Sequence, residues 1–187
     1  MNMSKADRHK DTTDRTEALR HNFYKYADMG LPVIPLCSHD HEGMSKRHKE
    51  TCKRPGKTPL FKEWQEAEPP TQAKIDRWLS KYPSCNIGLV LGKNSGIIGV
   101  DVDGEQGFGI LERLSQGNVP STWQFSTPGG GMRYLYKIPE GSSFTSWVER
   151  HPTESHCEVN VLGSGRQTVL PPSIHTNGGQ YQWIIEP

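Results

Sequence analysis

The chain has 187 residues, with 22 Lys and Arg against 21 Asp and Glu for a formal charge of +1. That length supports one domain, or one domain with an attached lobe, and the balanced charge excludes a histone-like binder; a polyanionic partner must meet a local basic groove. A mean hydropathy of -0.72 and the lack of any long apolar run exclude a membrane span, and the polar start, Met1 to Asp14, does not read as a secretory signal, so the expected location is cytoplasmic.

Residues 1–12 read as a flexible, solvated leader, and 13–187 as the functional domain. Asp14 and Glu17 form a cap-like pair, and Leu19, Phe23, Tyr26 and Ala27 recur at helical spacing until Gly30, which predicts a helix with one buried stripe. Leu31 to Leu36 is apolar but carries Pro32 and Pro35, which limits it to an edge strand or an extended lead-in. Residues 37–59 form a polar insertion. A second helix is predicted from Thr71 to Tyr82, with Ile75, Trp78, Leu79 and Tyr82 on its apolar face and Pro83 as its stop.

Beyond Pro83 the pattern turns strand-like. Asn86 to Leu91 and Gly96 to Asp103 flank the turn Gly92-Lys93-Asn94-Ser95 and predict a β-hairpin. A helix follows from Glu105 to Gln116, carrying Phe108, Leu111 and Leu114. Further strands are predicted at Thr122–Ser126, Met132–Ile138, Cys157–Leu162, Gln167–Leu170 and Gln180–Ile185. The fold class is α+β, a helical first half followed by a mostly antiparallel sheet.

Three segments carry chemistry. In Asp101-Val102-Asp103 strand alternation places both carboxylates on one face, where they repel each other unless a cation sits between them; Mg or Mn, which prefer hard oxygen ligands, would suit. A solvated turn is the plainer reading of such a pair. In Thr127-Pro128-Gly129-Gly130-Gly131, Gly130 and Gly131 allow backbone N–H groups to approach a phosphate, and Arg133 and Lys137 share a face of the strand that follows. On Cys157–Leu162, Glu158 and Asn160 share a face, so Glu158 supplies a third oxygen ligand if this strand pairs beside the Asp strand. Ser173 and His175, after Pro171-Pro172, suit hydrogen bonds to a nucleotide or capping of a corner.

The insertion packs Cys37, His39, His41, His48 and Cys52 into sixteen positions. A tetrahedral zinc ion fits Cys37, His41, His48 and Cys52, with His39 as the competitor of His41; the alternative is a disordered polar loop with casual histidines. Cys85 and Cys157 have no such partners and read as buried thiols.

The order of these motifs resembles the bifunctional primase-polymerase domain of the archaeo-eukaryotic primase superfamily, carried by plasmid, phage and prophage replication proteins. The resemblance rests on Asn86-Ile87-Gly88, Ser95-Gly96-Ile97 through Asp101-Val102-Asp103, Thr127-Pro128-x-Gly130-Gly131, Gly165-Arg166 through Pro171-Pro172-Ser173-Ile174-His175, and Tyr181-x-Trp183. It extends to Tyr26-Ala27-x-x-Gly30, the Pro55 to Pro59 stretch and Trp64. It implies an RRM-like sheet with flanking helices and a smaller N-terminal α/β lobe. It also implies template-dependent nucleotidyl transfer, as DNA primase, DNA polymerase or both, in the replication of a mobile element.

The expected substrates are nucleoside triphosphates and a primer on single-stranded DNA, and a helicase region or separate helicase is the expected partner. Asp101 and Asp103 match the family's first acidic motif and are expected, with Glu158, to be catalytic and to hold Mg or Mn; Gly130, Gly131, Arg133, Lys137, Ser173 and His175 are expected at the nucleotide. Two positions depart from the pattern. Arg133 stands where the family commonly has His, and Asn160 where the usual third acid falls, which leaves Glu158 as the surviving acid. The resemblance also favours structural zinc in the insertion. The alternative reading is a catalytically weak or inactive RRM-like nucleic-acid-binding module stapled by zinc.

Overall fold

A computed structural model describes residues 5–187 apart from 140 and 143, with side chains from Asp14 onward; residues 1–4 of the expected leader lie outside the described residues. Four α-helices are present: α1 (Lys5–Asp28), α2 (Lys46–Thr51), α3 (Gln72–Lys81) and α4 (Glu105–Ser115). The nine strands are β1 (Val33–Leu36), β2 (Asn86–Val90), β3 (Ile97–Asp103), β4 (Trp123–Ser126), β5 (Met132–Lys137), β6 (Trp147–Arg150), β7 (Glu158–Leu162), β8 (Gln167–Leu170) and β9 (Gln182–Ile185). They form a three-stranded sheet, β1-β2-β8, and a six-stranded sheet, β6-β7-β3-β5-β4-β9. Every strand pairing is antiparallel, and the α+β class holds.

The elements follow from local chemistry. Thr71 caps α3, its hydroxyl accepting from the Lys74 backbone N–H, and the helix buries Ile75 and Leu79. Leu19, Phe23 and Tyr26 of α1 join them against Ile34, Ile87 and Leu89 of the small sheet, and the same core reaches Phe125 and Leu135 of the large one. A second core on the opposite face of the large sheet gathers Val100, Val102, Val159 and Val161 under Ile110 of α4. The side chains alternating with those valines, on β3 and β7, are Asp101, Asp103, Glu158 and Asn160, and they face away from α4.

The expected hairpin does not form. β2 pairs with β1 and β8, whereas β3 pairs with β5 and β7, so the turn after Leu91 passes the chain from one sheet to the other. All five residues of β2 are buried, as suits a central strand covered on both faces, whereas β3 alternates as a strand with one polar face must. Gly92 makes this crossing possible: its φ is +95° and a Cβ there would lie 2.4 Å from Ser164. Three elements go beyond the sequence reading: α2 inside the polar insertion, a short 3-10 helix at Trp64–Glu66, and β6 at the edge of the large sheet. α1 also begins at Lys5, ahead of the capping pair at Asp14. None of the described helices is long and apolar enough to cross a membrane.

Candidate active site

Strand register assembles the acidic face. On β3, Asp101 stands opposite Arg133 of β5 and Asn160 of β7, and Asp103 stands opposite Glu158 of β7. The Arg133 guanidinium reaches Asp101 Oδ2 at 2.5 Å. Glu158 accepts from Asn160 Nδ2 at 2.6 Å and pairs with Arg150 at 2.9 Å. Three buried polar atoms here have no hydrogen-bond partner: Asp101 Oδ1 and the Nε and Nη1 atoms of Arg133. Burial raises the Asp103 pKa above its ordinary value, and the neighbouring Asp101 and Glu158 carboxylates add to the rise while Arg133 and Lys57 oppose it.

These residues line one side of a cleft of about 390 Å³. Gln167, Thr168 and Val169 of β8 line it too, along with Arg54, Lys57, His175 and Tyr181, so the cleft is shared by the two sheets. The His175 ring meets Tyr181 edge-on at 6.1 Å. Burial pushes the Tyr181 hydroxyl up to about 12, which keeps it a neutral donor at physiological pH.

The structure therefore brings together Asp101, Asp103, Glu158, Arg133 and His175. It places four other expected residues differently. Ser173 is fully buried, and its hydroxyl accepts from the Ile87 backbone N–H at 2.9 Å, which ties the Pro-Pro corner to β2. Lys137, exposed at the far end of β5, borders a separate depression beside Gly30 and Trp123. The Gly130 N–H donates to the Thr127 carbonyl and the Gly131 N–H to Thr127 Oγ1, so both donors expected at a phosphate are spent inside the turn. Gly131 is required for another reason: a Cβ there would lie 2.5 Å from the Val102 carbonyl oxygen and 2.7 Å from Asp103 Oδ1. Its lack of a side chain is what lets the turn close against the acidic strand.

Sequence reasoning missed Arg54 and Gln167, and weighed Lys57 between a phosphate contact and, as the commoner case, a lysine in solvent. Lys57 reads as a solvated lysine in isolation, yet it is half-buried in the cleft, and burial lowers its pKa against the pull of Asp101. The available signal was Gly56 before it, which adopts φ +75° with Asn86 Nδ2 3.1 Å from where a Cβ would stand.

A second cluster lies in the insertion. One ligand atom each from Cys37, His41, His48 and Cys52 falls within 4.8 Å of the others, and His39 stands outside that set. The two sulfurs are 4.0 Å apart, and the His41 and His48 rings stand at 90° to each other. Each histidine has a buried Nε2 with no partner. Burial raises the Cys37 pKa, and burial with repulsion from His41 lowers that of His48, a shift toward the neutral form that metal ligation requires. Two sulfurs and two imidazoles converging this closely are a donor set that zinc can occupy.

No curated protein matches the chain. The family model described as bifunctional DNA primase/polymerase, N-terminal (Prim-Pol), matches residues 24–187, and so takes in both sides of the cleft and the Cys/His insertion. Membership of that family carries a primase-polymerase type of nucleotidyl transfer, with nucleotides and DNA as substrates. The chain belongs to the Prim-Pol family.

Proposed function

We propose that this domain adds nucleotides to a primer on single-stranded DNA during replication of a plasmid, phage or other mobile element, working beside a helicase region or a separate helicase. The observation that carries the reading is the convergence of Asp101, Asp103 and Glu158 on one face of the large sheet, with an unpartnered carboxylate oxygen and two unpartnered guanidinium nitrogens in the same cleft. Three hard oxygen donors on one face, with Asp103 raised in pKa by burial and by its acidic neighbours, fit Mg or Mn. Held by Asp101, Asp103 and Glu158, such an ion would activate the primer hydroxyl and offset the charge of the departing pyrophosphate.

The protein's own groups do the rest. Arg133 presents its free Nε and Nη1 to a phosphate as a forked donor; it stays protonated and so cannot act as a base. His175 offers an imidazole at the cleft wall for sugar or phosphate. The Thr127–Gly131 turn packs against Val102 and Asp103 and forms part of the cleft wall. Cys37, His41, His48 and Cys52 would hold a structural zinc ion.

A primer-extension assay on single-stranded DNA with Mg or Mn tests this. The wild-type chain is expected to extend, and Asp101→Ala to fall by about 10³-fold or more, the equivalent of the several kcal/mol that a metal ion supplies. Extension that survives Asp101→Ala rejects the site.

A second reading, a nucleic-acid-binding module with little or no catalysis, draws on the Arg133–Asp101 ion pair and on the neutral Asn160 opposite Asp101. Tight binding of single-stranded DNA with no extension in either metal would favour it.

A further inference from the structure

Lys57 and the Cys/His cluster belong to one continuous piece of chain. Cys37 follows β1, Cys52 ends α2, and Lys57 comes five positions later, before the chain returns to β1 through a bridge between Leu36 and Pro59. The return stretch is fixed on several sides. The Cys37 backbone N–H donates to the Thr58 carbonyl at 2.8 Å, and the Gly56 N–H to the Ser38 carbonyl at 3.1 Å. From β2, Asn86 Nδ2 donates to the Gly56 carbonyl at 3.0 Å, and from β8, Gln167 Nε2 donates to the Lys57 carbonyl at 2.8 Å. The sulfurs of the cluster touch the same stretch: the Cys37 thiol donates to the Arg54 carbonyl at 3.8 Å, and Cys52 Sγ lies 3.1 Å from Thr58 Oγ1. α2, which carries His48, buries none of its residues, so it has no apolar anchor of its own.

Resting on the nucleotidyl-transfer reading, we propose that Lys57 binds the polyphosphate of the incoming nucleotide, and that the Cys37/His41/His48/Cys52 centre is the clamp that holds Lys57 in the cleft. The charge pattern supports the assignment. Lys57 reaches the cleft from the insertion, not from the acidic strands, yet it lies close enough to Asp101, Asp103 and Arg133 to feel the charge of each. A polyphosphate lying along the acids meets Arg133 on the large sheet and Lys57 from the insertion, with Arg54 at the rim. The clamp follows from the chain path: the Cys37 thiol contacts the Arg54 carbonyl and the Cys52 thiol the Thr58 hydroxyl, on either side of Lys57, so an ion drawing the four ligands together would fix that stretch as well.

The test is an equilibrium titration of a fluorescent deoxynucleoside triphosphate, with Mg, against the zinc-loaded full chain. Lys57→Met is expected to weaken binding roughly 10- to 100-fold, as loss of a charged hydrogen bond does, and to raise KM far more than it lowers kcat. Single-stranded DNA affinity is expected to stay within about twofold, and Lys57→Arg to retain most of the triphosphate affinity. Triphosphate affinity unchanged in Lys57→Met, or lost only together with DNA affinity, overturns the assignment. Cys52→Ser is expected to lose its zinc by direct metal assay and to weaken triphosphate binding as much as Lys57→Met. The double variant is expected to be no weaker than either single one, and additive losses overturn the clamp.

Should Cys52→Ser fail to fold, the wild-type chain is stripped with a chelator and then reloaded with zinc. Affinity that drops and returns upholds the clamp, and affinity indifferent to zinc overturns it. A wild-type chain that binds no triphosphate overturns this inference together with the function. One that binds and extends, with Lys57→Met its equal, overturns this inference alone.

Discussion

The two clusters suited to cations are ordered in opposite ways. Asp101, Asp103 and Glu158 sit on paired strands whose other face is packed with valines under α4, so the ladder places the carboxylates whether or not an ion is present. Their burial and mutual repulsion are a local cost that the sheet withstands, and both raise the pKa of Asp103. Cys37, His41, His48 and Cys52 sit in an insertion where α2 has no buried residue and Met44 is the main apolar anchor. There a bound ion would act as the core. Substitution in the first cluster should change chemistry and spare the fold, and substitution in the second should loosen structure first.

The largest expected effect separates Glu158 from Asn160, which share a face of β7. Glu158 stands opposite Asp103 and can complete a set of oxygen ligands; Asn160 stands opposite Asp101 and donates to Glu158 at 2.6 Å. Glu158→Gln is expected to lower primer extension by about 10²- to 10³-fold, and Asn160→Ala by less than about tenfold, with both variants melting within a few degrees of wild type. Equal losses in extension would make Asn160 a direct ligand and break the assignment of the third acid.

Removal of zinc is the next largest, and its signature is structural. A chelator is expected to lower Tm by roughly 5–10 °C, the consequence of about 2–3 kcal/mol in a chain of this size. Limited trypsin digestion should then cut at Arg47, Lys49 and Lys53 while the large sheet stays resistant. A melting curve and digestion pattern indifferent to the chelator would show that the insertion orders itself.

How much of this was legible in the sequence follows from the range of each signal. Alternation and helix caps are local, so α3, α4, β3, β5 and β7 stand nearly where periodicity puts them, and the shared face of Asp101 and Asp103 comes with them. The Cys/His spacing is local as well, and the choice of His41 over His39 needed only the fold of one loop. Sheet membership is not local. The turn after β2 has the composition of a hairpin tip, and nothing within it tells that β2 will be taken by β1 and β8 from distant parts of the chain. Ser173 shows the same limit from the side of function: beside His175 it suits a ligand contact, but the partner of its hydroxyl is 86 positions away in sequence, on β2. Lys57 is the converse, a lysine in a polar stretch whose meaning appears only when β8 and β3 are brought alongside it.

The smallest effect concerns the cost borne by the acidic face. The Asp103 carboxyl has a pKa raised by burial and by its acidic neighbours, so the folded chain holds that proton more tightly than the unfolded chain does. Its contribution to stability is therefore fully present in acid, below the ordinary aspartate range, and is lost as pH rises through the raised value. At pH 7 the ion-free protein carries the penalty in full. Asp103→Asn removes it and is expected to raise Tm by about 2 °C at neutral pH, with the difference shrinking as the pH is lowered toward about 4. Mn should raise the Tm of the wild-type protein at pH 7 and have less effect on Asp103→Asn, because the ion relieves the same repulsion. If Asp103→Asn instead melts lower at neutral pH, then Arg133 and Lys57 already neutralise the cluster, and the acidic face is held together as an ion-pair network in the way that the second reading of the function requires.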